Sequence, residues 1–198
     1  MSTEQKRKNA GMGLCLLVAL AAIGLTVKVS LDPSQTNFSL GPTAVDALPA
    51  GDPAPEFALQ DLEGKEVSLA DQKGQVVLVD FWATWCGPCV QELPHIQAIH
   101  QKYRDQGLIV LAVSTDIQKD IVQPFISKNK YTFPVLHADS EIQSNYGVSG
   151  IPTVYIIDRQ GSIRFHHVGY GPGGEKQLEK EVEQLLVEKT LAASTPQG

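Results

Sequence analysis

The stretch Gln75-Val76-Val77-Leu78-Val79-Asp80-Phe81, followed by Trp82-Ala83-Thr84-Trp85-Cys86-Gly87-Pro88-Cys89, decides how this chain folds. Its first seven residues form a short run rich in β-branched side chains, the pattern of a buried central strand. From Cys86 to Gln106 the pattern changes: Val90, Leu93, Ile96, Ile99 and Tyr103 recur at three- and four-residue spacing. That predicts an amphipathic helix, stopped by Gly107 and kinked at Pro94. The first cysteine therefore falls where a strand gives way to a helix. Free N–H groups and the positive end of the helix dipole stabilise a thiolate there. Two intervening residues on a helical turn bring the sulfurs close enough to bridge. Cys86 can then attack a disulfide, and Cys89 can resolve the mixed product by intramolecular attack. Pro88 suits the first turn, where its missing N–H costs little.

Outward from this centre the chain alternates strands and helices. Glu56 to Leu69 reads as a hairpin around Glu63-Gly64, and Leu108 to Val113 as a second buried strand. A helix is expected over 118–129, where Pro124 disturbs the pattern, then a strand over 133–136 and a short helix over 140–146. Thr153 to Ile157 and Ser162 to Val168 flank Asp158-Arg159-Gln160-Gly161, a hairpin signal. Glu175 to Leu191 is a charged amphipathic helix, and residues 192–198 read as a frayed tail. The alternation implies an α/β sandwich with a mixed sheet, beginning near Gly51. Residues 29–50, with Pro33, Pro42 and Pro49, suit a tether.

The N-terminus is a different material. The basic cluster Lys6 to Lys8 precedes an apolar run from Ala10 to Val27 that has no charge and is about the minimum for a transmembrane helix. A basic leading flank favours a cytoplasmic N-terminus and an exported remainder. Ala19-Leu20-Ala21 also has the form of a signal cleavage site, although apolar residues continue through Ile23, Leu25 and Val27. An uncleaved bacterial inner-membrane anchor over residues 1–28 is the expectation, with a soluble periplasmic domain after cleavage as the alternative. The net charge is −6, and the chain beyond the basic first 28 residues is more acidic still. No basic stripe marks a nucleic-acid partner. Of three cysteines Cys15 lies in the apolar run, leaving one pair in the body, too few for a stapled scaffold and a poor structural zinc site.

The segment Val79-Asp80-Phe81-Trp82-Ala83-x-Trp85-Cys86-Gly87-Pro88-Cys89 resembles the active-site stretch of thioredoxins, with Pro94 at the position of their helix kink. Gly150-Ile151-Pro152-Thr153 resembles their cis-proline loop, and Gly51-Asp52-Pro53-Ala54-Pro55-Glu56-Phe57-Ala58-Leu59 the N-terminal signature of the AhpC/TSA-redoxin superfamily. The interval from Asp116 to Gly150 exceeds what thioredoxin needs, and with the anchor this is similar to TlpA/ResA-type extracytoplasmic thiol-disulfide oxidoreductases. The resemblance covers 51–186. It implies a thioredoxin-like three-layer sandwich: a central mixed β-sheet flanked by helices, with an N-terminal hairpin extension and an inserted αβ segment. It implies a redox-active disulfide Cys86–Cys89, with Cys86 as nucleophile and Cys89 as resolving thiol. Asp80 becomes the buried carboxylate that exchanges a proton with Cys89, in place of the neutral residue expected in many TlpA-type chains. Pro152 shapes the substrate groove, the Ile151 backbone pairs with an extended substrate segment, and Trp85, Gly87 and Pro88 complete the groove. The lysine that thioredoxins set near that carboxylate is missing from 108–113.

Other residues read more plainly. Trp82 is expected in the core and Glu92 as a solvated charge. His95, His100, His137, His166 and His167 show no metal-ligand spacing, and neither a metal nor another cofactor is expected. The functional expectation is reduction of cysteines in exported proteins, of the cytochrome c or metal-site maturation type. A membrane electron donor would recharge the pair, and the domain would be a monomer. Gly87-Pro88 favours the reducing direction over oxidising or isomerising exchange. A thiol peroxidase needs Thr or Ser three residues before its cysteine and Pro seven before; Cys89 has Cys86 and Trp82 there, and Cys86 has Ala83 and Val79. A copper-site assembly factor holding Cu(I) through both thiolates is a further alternative, without the Met-rich segment that would support it.

Overall fold

The computed structural model describes residues 48–193, with side chains described through 188. The expected anchor at 10–27, most of the tether and the tail at 194–198 lie outside the described residues. Among the described residues no helix is long and apolar enough to cross a membrane.

Strands β1 (Ala58–Gln60) and β2 (Glu66–Ser68) form the expected antiparallel hairpin. The main sheet has five strands: β3 (Val76–Trp82), β4 (Leu108–Ser114), β5 (Val135–His137), β6 (Thr153–Ile157) and β7 (Ile163–Val168). They lie in the order β5-β4-β3-β6-β7. β3 pairs in parallel with β4, and β4 with β5, whereas β6 runs antiparallel to β3 and β7 antiparallel to β6, so the sheet is mixed. Four α-helices accompany it among the described residues: α1 (Gly87–Tyr103), α2 (Val122–Asn129), α3 (Ser140–Asn145) and α4 (Gly174–Ala193).

The pleat of β3 divides the core. Val76, Leu78 and Trp82 face a cluster holding Leu93, Ile96 and Ile99 of α1, Val122 and Ile126 of α2, and Leu178, Val182 and Leu185 of α4. Val77, Val79 and Phe81 face the opposite layer, built from Leu59 of the hairpin, Leu69 just after it, Ile142 of α3 and Tyr146. Every residue of β3 is buried, as a central strand with both faces covered requires. The three layers match the expected sandwich.

Boundaries shift at chemically legible places. The expected helix over 86–106 ends as α-helix at Tyr103 and tightens into a 3-10 turn before Gly107, whose φ of 100° needs a glycine. The helix expected over 118–129 opens as a 3-10 turn over Lys119–Ile121, and Pro124 then falls in the first turn of α2, where its missing N–H is tolerated. The strand expected from Phe133 starts instead at Val135, after Pro134, which cannot donate to a ladder. The inserted segment supplies α2, α3 and the edge strand β5.

Candidate active site

The end of β3 and the start of α1 put Cys86 at the N-cap, in extended backbone conformation (φ −83°, ψ 104°). Cys86 and Cys89 form a disulfide with Cα atoms 5.2 Å apart. The Cys89 N–H also points at Cys86 Sγ, 3.2 Å away. After reduction that same N–H and the helix dipole favour a thiolate on Cys86. Gly87 and Pro88 are exposed, with Pro88 in the first turn of α1. Trp85 is 71% exposed and Trp82 fully buried, as the sequence predicts for both.

A second loop closes on the disulfide from the side. The Ile151–Pro152 peptide bond is cis. The Ile151 carbonyl oxygen lies 3.7 Å from Cys86 Sγ. Thr153 donates its hydroxyl to the Gly150 carbonyl (2.7 Å), and the Gly169 N–H donates to the Pro152 carbonyl (2.7 Å), which ties this loop to the end of β7.

Asp116 was not marked by the sequence reading. Its buried carboxylate accepts from the Thr84 N–H (3.0 Å), the Thr84 hydroxyl (2.7 Å) and the Ser114 hydroxyl (2.9 Å). It therefore pins the turn that carries Trp85 and Cys86 to the end of β4. The signal for it is the polar run Ser114-Thr115-Asp116 where an apolar strand stops.

On β3 and α1, the two elements that lead into and out of the active-site turn, the structure buries two carboxylates. Asp80 is 1% exposed, and neither of its oxygens has a hydrogen-bond partner. Burial pushes its pKa well above the ordinary value, and the charge of Glu92 adds to the rise. The expectation that Glu92 is a solvated charge is corrected: it is 2% exposed, and its Oε2 has no partner. Glu92 stands three residues after Cys89 and four before Ile96, on the inward stripe of α1, and that spacing is the reason. Burial raises its pKa from 4.5 to about 7. In place of the missing lysine, then, Asp80 has a second carboxylate as its charged neighbour. The Glu92 charge adds to the proton affinity of Asp80, and Glu92, raised by burial to about 7, can hold or release a proton near neutral pH, three residues along α1 from Cys89.

The histidines are scattered. His167 Nε2 sits 2.6 Å from the buried carboxylate of Glu181, His95 stacks on Tyr170, and His166 tilts against Tyr155. Among the described residues no group of three or more His, Cys, Asp or Glu is placed to hold a metal ion.

The sequence and the fold are similar to those of known proteins. Residues 50–166 match the AhpC/TSA family. The thiol-disulfide oxidoreductase ResA of Geobacillus kaustophilus is 35% identical over 171 residues, 86% of this chain and 91% of that protein. The thioredoxin-like protein YneN of Bacillus subtilis is 39% identical over 138 residues, 69% of this chain and 78% of its own length. A Chlorobium tepidum crystal structure, described as a DsbE thiol:disulfide interchange protein, superposes with a TM-score of 0.67 at 38% identity, covering 70% of this chain and 99% of that one. With a disulfide at the N-cap of a helix on a thioredoxin-fold sheet, the chain belongs to the AhpC/TSA family and is a ResA-type, thioredoxin-like thiol-disulfide oxidoreductase.

Proposed function

We propose that the protein reduces disulfides in exported proteins, with Cys86 as nucleophile and Cys89 as resolving thiol. The Cys86 thiolate attacks one sulfur of a client disulfide, forming a mixed disulfide and releasing the other client sulfur as a thiolate. Cys89 then gives up its proton to the Asp80–Glu92 pair and attacks Cys86 Sγ. The Cys86–Cys89 disulfide forms, and the second client sulfur leaves and is protonated. Two electrons pass from the cysteine pair to the client, and a membrane-bound dithiol donor restores them. The client's extended segment lies against the Ile151 backbone and cis-Pro152, between Trp85 and the exposed Gly87-Pro88 turn. Clients of the cytochrome c or metal-site maturation type carry cysteine pairs that suit this exchange.

One observation carries this reading: two buried carboxylates, one of them with a pKa raised to about 7, lie under a helix that starts with the cysteine pair. A reductant needs its resolving thiol deprotonated at the moment of attack, and a buried base near neutral pH supplies that. The basic cluster and apolar run at 6–27 support a domain held on the outer face of the inner membrane.

Equilibration of the full chain against dithiothreitol or glutathione buffers, read by fluorescence of Trp82 and Trp85, tests the direction. A single two-electron transition more reducing than about −230 mV is expected. A midpoint of roughly −120 to −180 mV would make the protein a disulfide donor or isomerase instead.

A further inference from the structure

Tyr170 belongs to none of the groups described so far, yet it stands where β7, α1 and α4 meet. It lies in Gly169-Tyr170-Gly171-Pro172-Gly173-Gly174, between β7 and α4, where Tyr170 and Pro172 carry the only side chains. Gly169 and Gly173 hold φ of 80° and 85°, a backbone region that side chains resist. Gly174 lies against the same ring: a β-carbon there would sit 3.5 Å from Tyr170, in ordinary van der Waals contact. The ring stacks on His95 of α1, with centroids 5.9 Å apart and planes 29° from parallel. Its hydroxyl donates to Glu175, in the first turn of α4 (3.4 Å). Through its neighbour Gly169 it is tied to the carbonyl of cis-Pro152.

His95 follows Glu92 by three residues, so the two share one flank of α1. A ring stacked on His95 therefore lies within a helical turn of the buried Glu92. Glu92 is among the charges that raise the Tyr170 pKa, in keeping with that proximity. The ionisable groups around this point are Asp80 on β3, Glu92 and His95 on α1, Tyr170 on the loop, and Glu175 and Lys176 on α4. Glu181, farther along α4, is taken up by His167 and Gln177.

We propose that Tyr170, stacked on His95 and tethered to Glu175, is a positioning residue that seals the Asp80–Glu92 pair from water between α1 and α4. The seal sets how readily that pair exchanges protons while the cysteines are oxidised and reduced. The inference rests on the proposed exchange reaction at Cys86 and Cys89 and assigns it a residue outside the cysteine and cis-proline loops.

The test is the redox midpoint of the full chain as a function of pH, together with the infrared band of protonated carboxyls in the oxidised protein. Glu92→Gln assigns that band. In the unsubstituted protein the band should fade near pH 7 and the midpoint profile should bend there. In Tyr170→Ala both should move toward the ordinary carboxylate range, about 4.3. Tyr170→Phe keeps the ring and should keep the bend. His95→Ala opens the seal from the other side and serves if Tyr170→Ala does not fold. A fully folded Tyr170→Ala or His95→Ala with unmoved band and bend overturns the proposal. So does Tyr170→Phe behaving like Tyr170→Ala, or an unsubstituted profile without a bend. Absence of any two-electron transition would instead sink the exchange reaction itself.

Discussion

At the scale of single residues, the chemistry comes from what burial does to two acids. Folding carries Glu92 from 4.5 to about 7, and Asp80 in the same direction, because the apolar layer under α1 disfavours their charged forms. A carboxyl with a raised pKa favours the folded state while it is protonated. Its contribution is full below the ordinary value and is lost as pH climbs through 7. For Glu92 alone the loss should be about 3 kcal/mol between roughly pH 4.5 and 8. Urea unfolding of the oxidised protein across that window measures it, and Glu92→Gln should flatten the curve. A stability that does not change with pH over this range would contradict the burial of a protonated Glu92. Asp80 was legible through the resemblance of Val79-Asp80-Phe81-Trp82 to the active-site stretch of thioredoxins, and its place on an apolar strand agrees with burial. Glu92 was not, because helical polar residues are usually solvated and only its register with Cys89 and Ile96 places it inward.

At the scale of elements, the active-site turn is held from outside its own helix. Asp116, just past β4, accepts from both the backbone and the hydroxyl of Thr84. Removing it leaves the partly buried Thr84 N–H and hydroxyl without this partner and frees the turn that presents Cys86. Asp116→Ala should cost about 2–4 kcal/mol in denaturant unfolding and slow exchange with a disulfide-bonded peptide, whereas Asp116→Asn should recover much of the stability. Equal stability of Asp116→Ala and the unsubstituted chain would show that the turn holds itself. Strands and helices were mostly readable because each buries a regular apolar stripe. Their ends were less so: Pro134 delays β5 and a 3-10 turn precedes α2, and both depend on hydrogen bonds that a periodicity does not encode. Asp116 shows the same limit, since Thr84, the partner that it pins, lies 32 residues away in the chain.

At the scale of the whole molecule, the chain separates into Met1–Gly41 and Pro42–Gly198. The second unit contains both apolar clusters and all seven described strands. A chain begun at Pro42 should therefore unfold in one cooperative transition, with coincident far-ultraviolet circular dichroism and tryptophan fluorescence. Separate transitions would show that this unit does not fold as one cooperative body. The redoxin-like opening of that domain has a mechanical consequence. Gly51 and Asp52 hydrogen-bond to Ile163 on β7, and Asp61 bridges to Leu136 on β5, so one short segment reaches both borders of the five-stranded sheet. An open border is a template on which another chain can polymerise. By engaging both borders, this strap leaves less of the sheet free to seed fibrils and protects the protein during folding, when stray strands are most abundant.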